Sequence, residues 1–159
     1  MLLLSFLLLA LPVRPVTDAP RLVQEIGQGR TLVLHFFASW CGACRDEFPR
    51  LRRELKALPG RGVEVALVSI DRPEDERAAA KMLSDYGLSD LPALLLDAPE
   101  PDPVAKAVGD PKWDGTLPAT FVFDGSGKLV KGFRGQATPK ALEAAVRKAG
   151  SRSASATIK

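Results

Sequence analysis

The sequence predicts an α/β domain built on a mixed β-sheet with helices on both faces. Residues 31–37 (TLVLHFF) are apolar on both sides, the pattern of a strand buried in the middle of a sheet. Stretches with strand and helix periodicity alternate from there to about residue 108. The turn Asp124-Gly125-Ser126-Gly127, set between two short apolar runs, then closes a hairpin ahead of a last helix. Composition agrees with one domain around a real core, since apolar residues make up 46% of 159 and charged ones 26%.

Each element has its own signal. Asp18 is placed to cap a short helix over 21–26, ended by Gly27. After the strand at 31–37, a helix is expected over 42–57, with Pro49 inside it and Pro59-Gly60 stopping it. Residues 63–70 (VEVALVSI) read as a second strand, and 74–86 as a surface helix ended by Gly87. A short strand over 93–96 and a short helix over 104–108 lead into the hairpin strands at 119–123 and 129–133. Thr138 caps a final helix reaching about Lys148.

The chain ends read differently from the middle. Residues 1–13 (MLLLSFLLLALPV) are too short for a membrane-crossing helix, which takes about 20 residues, but match a signal-peptide apolar core of about 7–15. No Lys or Arg precedes that run, and Pro12, Pro15 and Pro20 crowd the place where a cleavage site would stand. The expectation is a leader or N-terminal anchor over 1–17, a domain over 18–149 and a flexible polar tail over 150–159. A buried N-terminal strand or a wrongly chosen start codon is the alternative. No lipobox cysteine is present to support a lipid anchor. The net charge of +3 is spread along the chain, and no basic block is interleaved with aromatics, so nothing points to nucleic acid.

Two cysteines and one histidine are too few for a disulfide-stapled miniprotein or a tetrahedral zinc site within one chain. Their placement is informative. Trp40-Cys41-Gly42-Ala43-Cys44 follows the buried strand and opens the next helix. Residues three apart on a first helical turn lie close enough for a disulfide to form and open with little backbone movement. Cys41 would meet unpaired N–H groups and the positive end of the helix dipole, both of which favour thiolate, and Arg45 adds a positive charge nearby. Cys44, one turn deeper, is suited to resolving a mixed disulfide. This strand–CxxC–helix context points to a thioredoxin-like redox motif. The competing readings are a structural disulfide, which would close a tiny loop and stabilise little, a zinc half-site completed elsewhere, and an inactive binding module.

The run from Phe36 to Pro49 (FFASWCGACRDEFP) resembles the active-site segment of thioredoxin-fold proteins. It is most similar to the TlpA/ResA-type thiol–disulfide oxidoreductases, whose W-C-x-x-C-x-x-E-x-P pattern is met by Trp40, Cys41, Cys44, Glu47 and Pro49. The resemblance extends over about 31–148. It implies a thioredoxin-like three-layer α/β/α sandwich with a mixed central sheet and an insert before a cis-proline hairpin. Pro92 and Pro118 compete for the cis-proline role. Pro118 has the family's sequel of strand, Asp-Gly turn and second strand, so the role goes to Pro118, with Leu117 offering its backbone to an extended substrate segment. The resemblance also implies that Glu47 influences active-site protonation, against the alternative of a solvated helix carboxylate. Trp40 is expected to shield the disulfide, against the alternative of plain packing. His35 departs from the pattern: it stands where thioredoxin has a buried acid. A histidine of ordinary pKa could relay a proton there, or simply be hydrogen-bonded in place. Trp113 is expected to cover the core rather than to line a substrate groove.

These readings combine into a monomeric thiol–disulfide oxidoreductase, exported to the periplasm or cell envelope, that exchanges disulfides with protein substrates. Family analogy favours a reductase, in cytochrome c maturation or extracytoplasmic redox homeostasis, reset by a membrane-bound or other thiol electron donor. The resemblance implies no cofactor beyond the Cys41–Cys44 disulfide, and no metal. The alternatives are a peroxiredoxin-like peroxidase and a non-enzymatic thioredoxin-fold module that binds metal or protein.

Overall fold

The computed structural model describes residues 10–156. In chain order its elements are β1 (Val13–Pro15), α1 (Ala19–Gly27), β2 (Leu32–Phe37), α2 (Gly42–Ala57), β3 (Glu64–Ser69), α3 (Glu76–Asp85), β4 (Ala93–Asp97), α4 (Asp102–Ala107), β5 (Ala119–Phe123), β6 (Leu129–Arg134) and α5 (Pro139–Ala156). The six strands form one sheet in the order β1-β4-β3-β2-β5-β6. The pairs β1–β4, β4–β3 and β3–β2 are parallel, whereas β2–β5 and β5–β6 are antiparallel.

All six residues of β2 are buried, as a strand with neighbours on both edges and helices on both faces requires. Alternation divides its side chains between two cores. Leu32, Leu34 and Phe36 pack with α1 and α4, around a cluster in which the Trp113 ring lies 5.2 Å from Phe36 and 5.3 Å from Phe121. Val33 and Phe37 face α2, α3 and α5, where Phe48 stands 5.5 Å from Phe37 and 5.6 Å from Tyr86. Trp113 therefore covers the core, as expected. The predicted mixed sheet, hairpin and helical layers are all present.

The chain ends depart from expectation. The leader assigned to 1–17 falls partly outside the described residues, but its last part is structured: Val13–Pro15 pairs with Leu95–Asp97 at the sheet edge, and Leu95 N–H donates to the Pro12 carbonyl at 2.9 Å. The Leu11 N–H is held by Glu76 of α3. Asp18 makes no cap bond to α1; its carboxylate instead binds the Arg14 and Arg21 guanidinium groups, charge-assisted contacts that outcompete a neutral cap. Where a flexible tail was expected from residue 150, α5 runs on to Ala156. There Ser151 and Ser155 bond back to carbonyls one turn earlier, and Ser153 Oγ accepts the Gly125 N–H of the hairpin turn at 2.8 Å. Among the described residues no helix is long and apolar enough to cross a membrane.

Candidate active site

Cys41 is the N-cap of α2. Its backbone is extended, with φ −82° and ψ 106°, and its sulfur accepts the Cys44 N–H at 3.1 Å. The two cysteines are joined by a disulfide, with Cα atoms 5.3 Å apart. They differ in access: Cys41 is 5% exposed and Cys44 0%. An incoming sulfur can therefore approach Cys41, at the end where unpaired helix N–H groups favour negative charge, and not Cys44.

The loop entering Cys41 is held from below by Asp71, a buried carboxylate just past the end of β3. Asp71 accepts the Ser39 N–H at 2.8 Å, the Ser39 hydroxyl at 2.6 Å and the Ser69 hydroxyl at 2.7 Å. Arg45 binds the Ser39 carbonyl from the other side, so its charge is pinned beside the CxxC turn. Between these anchors Trp40 is 65% exposed, and with Ser39, Arg45, Lys81, Met82 and Tyr86 it borders an open cleft between this loop and α3.

On the opposite side stands the Leu117–Pro118 peptide, the one cis bond among the described residues. The Pro118 carbonyl accepts the Gly135 N–H at 2.8 Å. The two residues that follow Gly135 reach across to α2: Gln136 Nε2 donates to the Ala43 carbonyl, between the cysteines, at 3.0 Å, and Ala137 N–H donates to Glu47 Oε1 at 2.6 Å. One short segment thus ties the Pro118 loop to the helix that carries the disulfide.

Glu47 lies on the apolar stripe of α2 formed by Cys44, Phe48, Leu51 and Leu55, and is wholly buried. It is not a solvated surface carboxylate. Burial pushes its carboxyl up to about 7, against the smaller lowering effects of the Ala137 N–H and the Arg50 charge. Its second oxygen, Oε2, faces His35 Nε2 at 3.6 Å, too far for a hydrogen bond, and neither atom has another partner among the described residues. His35 is also fully buried, its ring 5.4 Å from that of Phe48 at a 45° tilt, and burial lowers its imidazole to about 4. Its other nitrogen, Nδ1, lies 2.9 Å from the Thr120 hydroxyl, directly across the β2–β5 ladder. At neutral pH the ring is uncharged, so of these two groups Glu47 is the one that gains or loses charge near neutrality.

Every residue expected at the site is therefore in one neighbourhood of the fold, around the start of α2. The sequence reading missed Thr120, Ala137, Gln136 and Asp71. Glu47's burial was left open by the sequence reading, yet a signal for it existed, because Cys44, Glu47, Phe48, Leu51 and Leu55 follow helical i, i+3, i+4 spacing. Thr120 and Ala137 left no such trace, since one depends on strand register and the other acts through its backbone.

A CxxC disulfide opening the helix after a central strand, opposite a cis-proline that starts the next antiparallel strand, defines a thioredoxin-fold protein with a redox-type disulfide site. Residues 18–131 match the AhpC/TSA family, and the chain belongs to that family. Among its relatives, the thiol-disulfide oxidoreductase ResA of Bacillus subtilis is 28% identical over 127 residues, covering 77% of this chain and 63% of ResA. A thiol:disulfide interchange protein DsbE homolog of Paracoccus denitrificans is 32% identical over 105 residues, covering 62% of this chain and 47% of the relative. The crystal structure of a secreted Mycobacterium tuberculosis disulfide oxidoreductase superposes with a TM-score of 0.58 at 21% identity, over 76% of this chain and 82% of that one. The chain thus spans just under two thirds of the length of ResA.

Proposed function

We propose that this protein is a thiol–disulfide oxidoreductase acting on protein substrates, most simply as a reductase. The observation that supports it best is the unequal access of two bonded cysteines at a helix N-terminus, Cys41 reachable and Cys44 sealed. In the reduced protein the Cys41 thiolate attacks a substrate disulfide, forming a Cys41–substrate mixed disulfide and releasing one substrate thiolate. Cys44 then gives its proton to the Glu47 carboxylate and attacks the Cys41 sulfur. The Cys41–Cys44 disulfide forms, and the second substrate sulfur leaves as thiolate and takes up a proton. Two electrons pass from the pair to the substrate, so turnover needs a dithiol donor, membrane-bound or soluble, to reset it.

Within this reading Leu117 presents its backbone to an extended substrate strand beside Pro118, and Trp40 packs against the substrate. His35 orients Glu47 rather than carrying the proton itself. An exported setting, in the periplasm or cell envelope, is supported by the apolar run at 1–13 and by the secreted relative from M. tuberculosis. Cytochrome c maturation and general extracytoplasmic redox homeostasis both fit such a reductase, and monomeric action is enough for it.

The test is a redox titration in glutathione and dithiothreitol buffers, followed by tryptophan fluorescence, paired with trapping by Cys44→Ser. A potential near that of thioredoxin, about −270 mV, together with a covalent mixed disulfide, is the expected result. A value near about −120 mV would make the protein an oxidant. Peroxide consumption by Cys44→Ser without mixed-disulfide trapping would point to a peroxidase. Absence of any reversible two-electron transition would leave a binding module.

A further inference from the structure

The unpartnered facing atoms of His35 and Glu47 become intelligible when the proton positions are followed through the pocket. Ala137 N–H is donated to Glu47 Oε1 at 2.6 Å, so that oxygen is an acceptor. When Glu47 is neutral, its proton therefore sits on Oε2, the atom facing His35 Nε2. A neutral imidazole has one donor and one acceptor nitrogen. A protonated Oε2 requires a bare Nε2, which puts the ring proton on Nδ1, where it must be donated to the Thr120 hydroxyl oxygen. When Glu47 is ionised the arrangement inverts: Nε2–H points at the carboxylate, and Nδ1 needs a donor, which the Thr120 O–H supplies. Only a side chain that both donates and accepts serves the two states, and a hydroxyl does so by rotating about one bond.

We propose that Thr120 is a positioning residue of the disulfide site: its hydroxyl lets His35 change tautomer as Glu47 gains and loses its proton, and so links β5, directly behind cis-Pro118, to the protonation of the pocket beside Cys44. The link matters for catalysis only if the protein exchanges disulfides as proposed above. The groups facing the pair are few. On α2 they are Arg50, whose charge favours the carboxylate, and Cys44, one turn earlier. From β2 comes His35, from β5 Thr120, and from the segment before α5 the Ala137 N–H; Phe48 walls the histidine ring. In this fully buried setting a mismatched tautomer would set two lone pairs, or two protons, against each other at low local dielectric.

His35 is the one histidine in the sequence, so nitrogen-15 NMR of histidine-labelled protein reports this ring alone. In the oxidised protein the ring should stay neutral while its proton passes from Nε2 to Nδ1 as pH falls through about 7. Glu47→Gln turns an amide N–H toward Nε2 and should hold the Nδ1–H tautomer at every pH. Thr120→Val should abolish the pH-linked exchange and displace the pH profile of disulfide reduction, and Thr120→Ser should restore both. The proposal is overturned if the wild-type ring keeps one tautomer through this range or acquires a second proton instead. It is equally overturned if Thr120→Val exchanges like wild type or leaves the pH profile unmoved. Should Thr120→Val fail to fold, the wild-type, Thr120→Ser and Glu47→Gln titrations decide alone. The spectra need no substrate: an inactive protein that shows the exchange would sink the oxidoreductase reading only, and an active one with a fixed tautomer would sink this inference only.

Discussion

Replacing Glu47 by Gln isolates the energetic cost of keeping a carboxyl in this pocket. The side chain is fully buried, and its carboxyl is raised from an ordinary 4.5 to about 7, with burial as the main cause. A folded-state value above the unfolded one means that the fold prefers the protonated form. Its contribution is then fully present below about pH 4.5 and lost as pH rises through about 7, because between these limits the folded chain binds a proton that the unfolded chain has released. The displacement corresponds to roughly 3 kcal/mol between the two limits. His35 acts with the opposite sign, its lowered value favouring the fold as pH rises from about 4 toward 6.5. In wild type the two nearly cancel over the shared interval, whereas Glu47→Gln leaves only the histidine contribution. Urea unfolding of the oxidised proteins, measured across this range by fluorescence, should show Glu47→Gln gaining roughly 3 kcal/mol on wild type between about pH 4.5 and 8. A difference that stays constant with pH would refute the raised carboxyl and remove the basis for treating Glu47 as a proton site.

Three further outcomes follow from the geometry. Asp71→Ala strands the Ser39 N–H and the Ser39 and Ser69 hydroxyls; it should cost about 2–4 kcal/mol in urea unfolding and slow turnover by loosening the loop into Cys41. Trp40→Ala, at a side chain 65% exposed, should change stability by less than about 0.5 kcal/mol while slowing reduction of a protein disulfide more than that of a small aromatic one. Deleting the residues after Gly150 removes the Ser153–Gly125 bond and should lower stability by about 1 kcal/mol, where a truly flexible tail would leave it unchanged.

How far the sequence reveals this molecule depends on how local each determinant is. The boundaries of α2 were legible because the CxxC motif after a buried strand marks its start and Pro59-Gly60 stand just past its end. β2 was legible because its apolar residues occupy both faces. β1 was not: three residues, Val-Arg-Pro, have no strand signature, and the leucine run before them dominated the reading. Its place at the edge is decided by the free side of β4. The tail is a similar case, since serines are weak helix formers whose bonds to carbonyls one turn back need the helix to form first, and the Ser153 bond to the hairpin needs α5 to dock. At the site, the CxxC cysteines and Pro118 announced themselves by motif. The His35–Thr120 contact required knowing that these two residues, 85 apart in sequence, share a rung of the β2–β5 ladder.

The same geometry explains why a histidine can stand here without becoming the acid. In the proposed exchange, attack by Cys44 generates a thiolate at a position with no solvent exposure, and burial disfavours that charge. The group that relieves it should titrate near neutral pH, so that it is available both as base and as acid. Glu47, raised to about 7, meets that requirement, whereas His35, lowered to about 4, does not. A cationic imidazole at this point would sit 3.6 Å from the carboxylate and draw its proton away, holding Glu47 ionised through the neutral range and leaving no acid to return a proton when the disulfide is reduced. Keeping the ring neutral preserves Glu47 as a two-way proton site. The cost is that the ring must present the correct nitrogen in each state, which is the task the structure gives to Thr120.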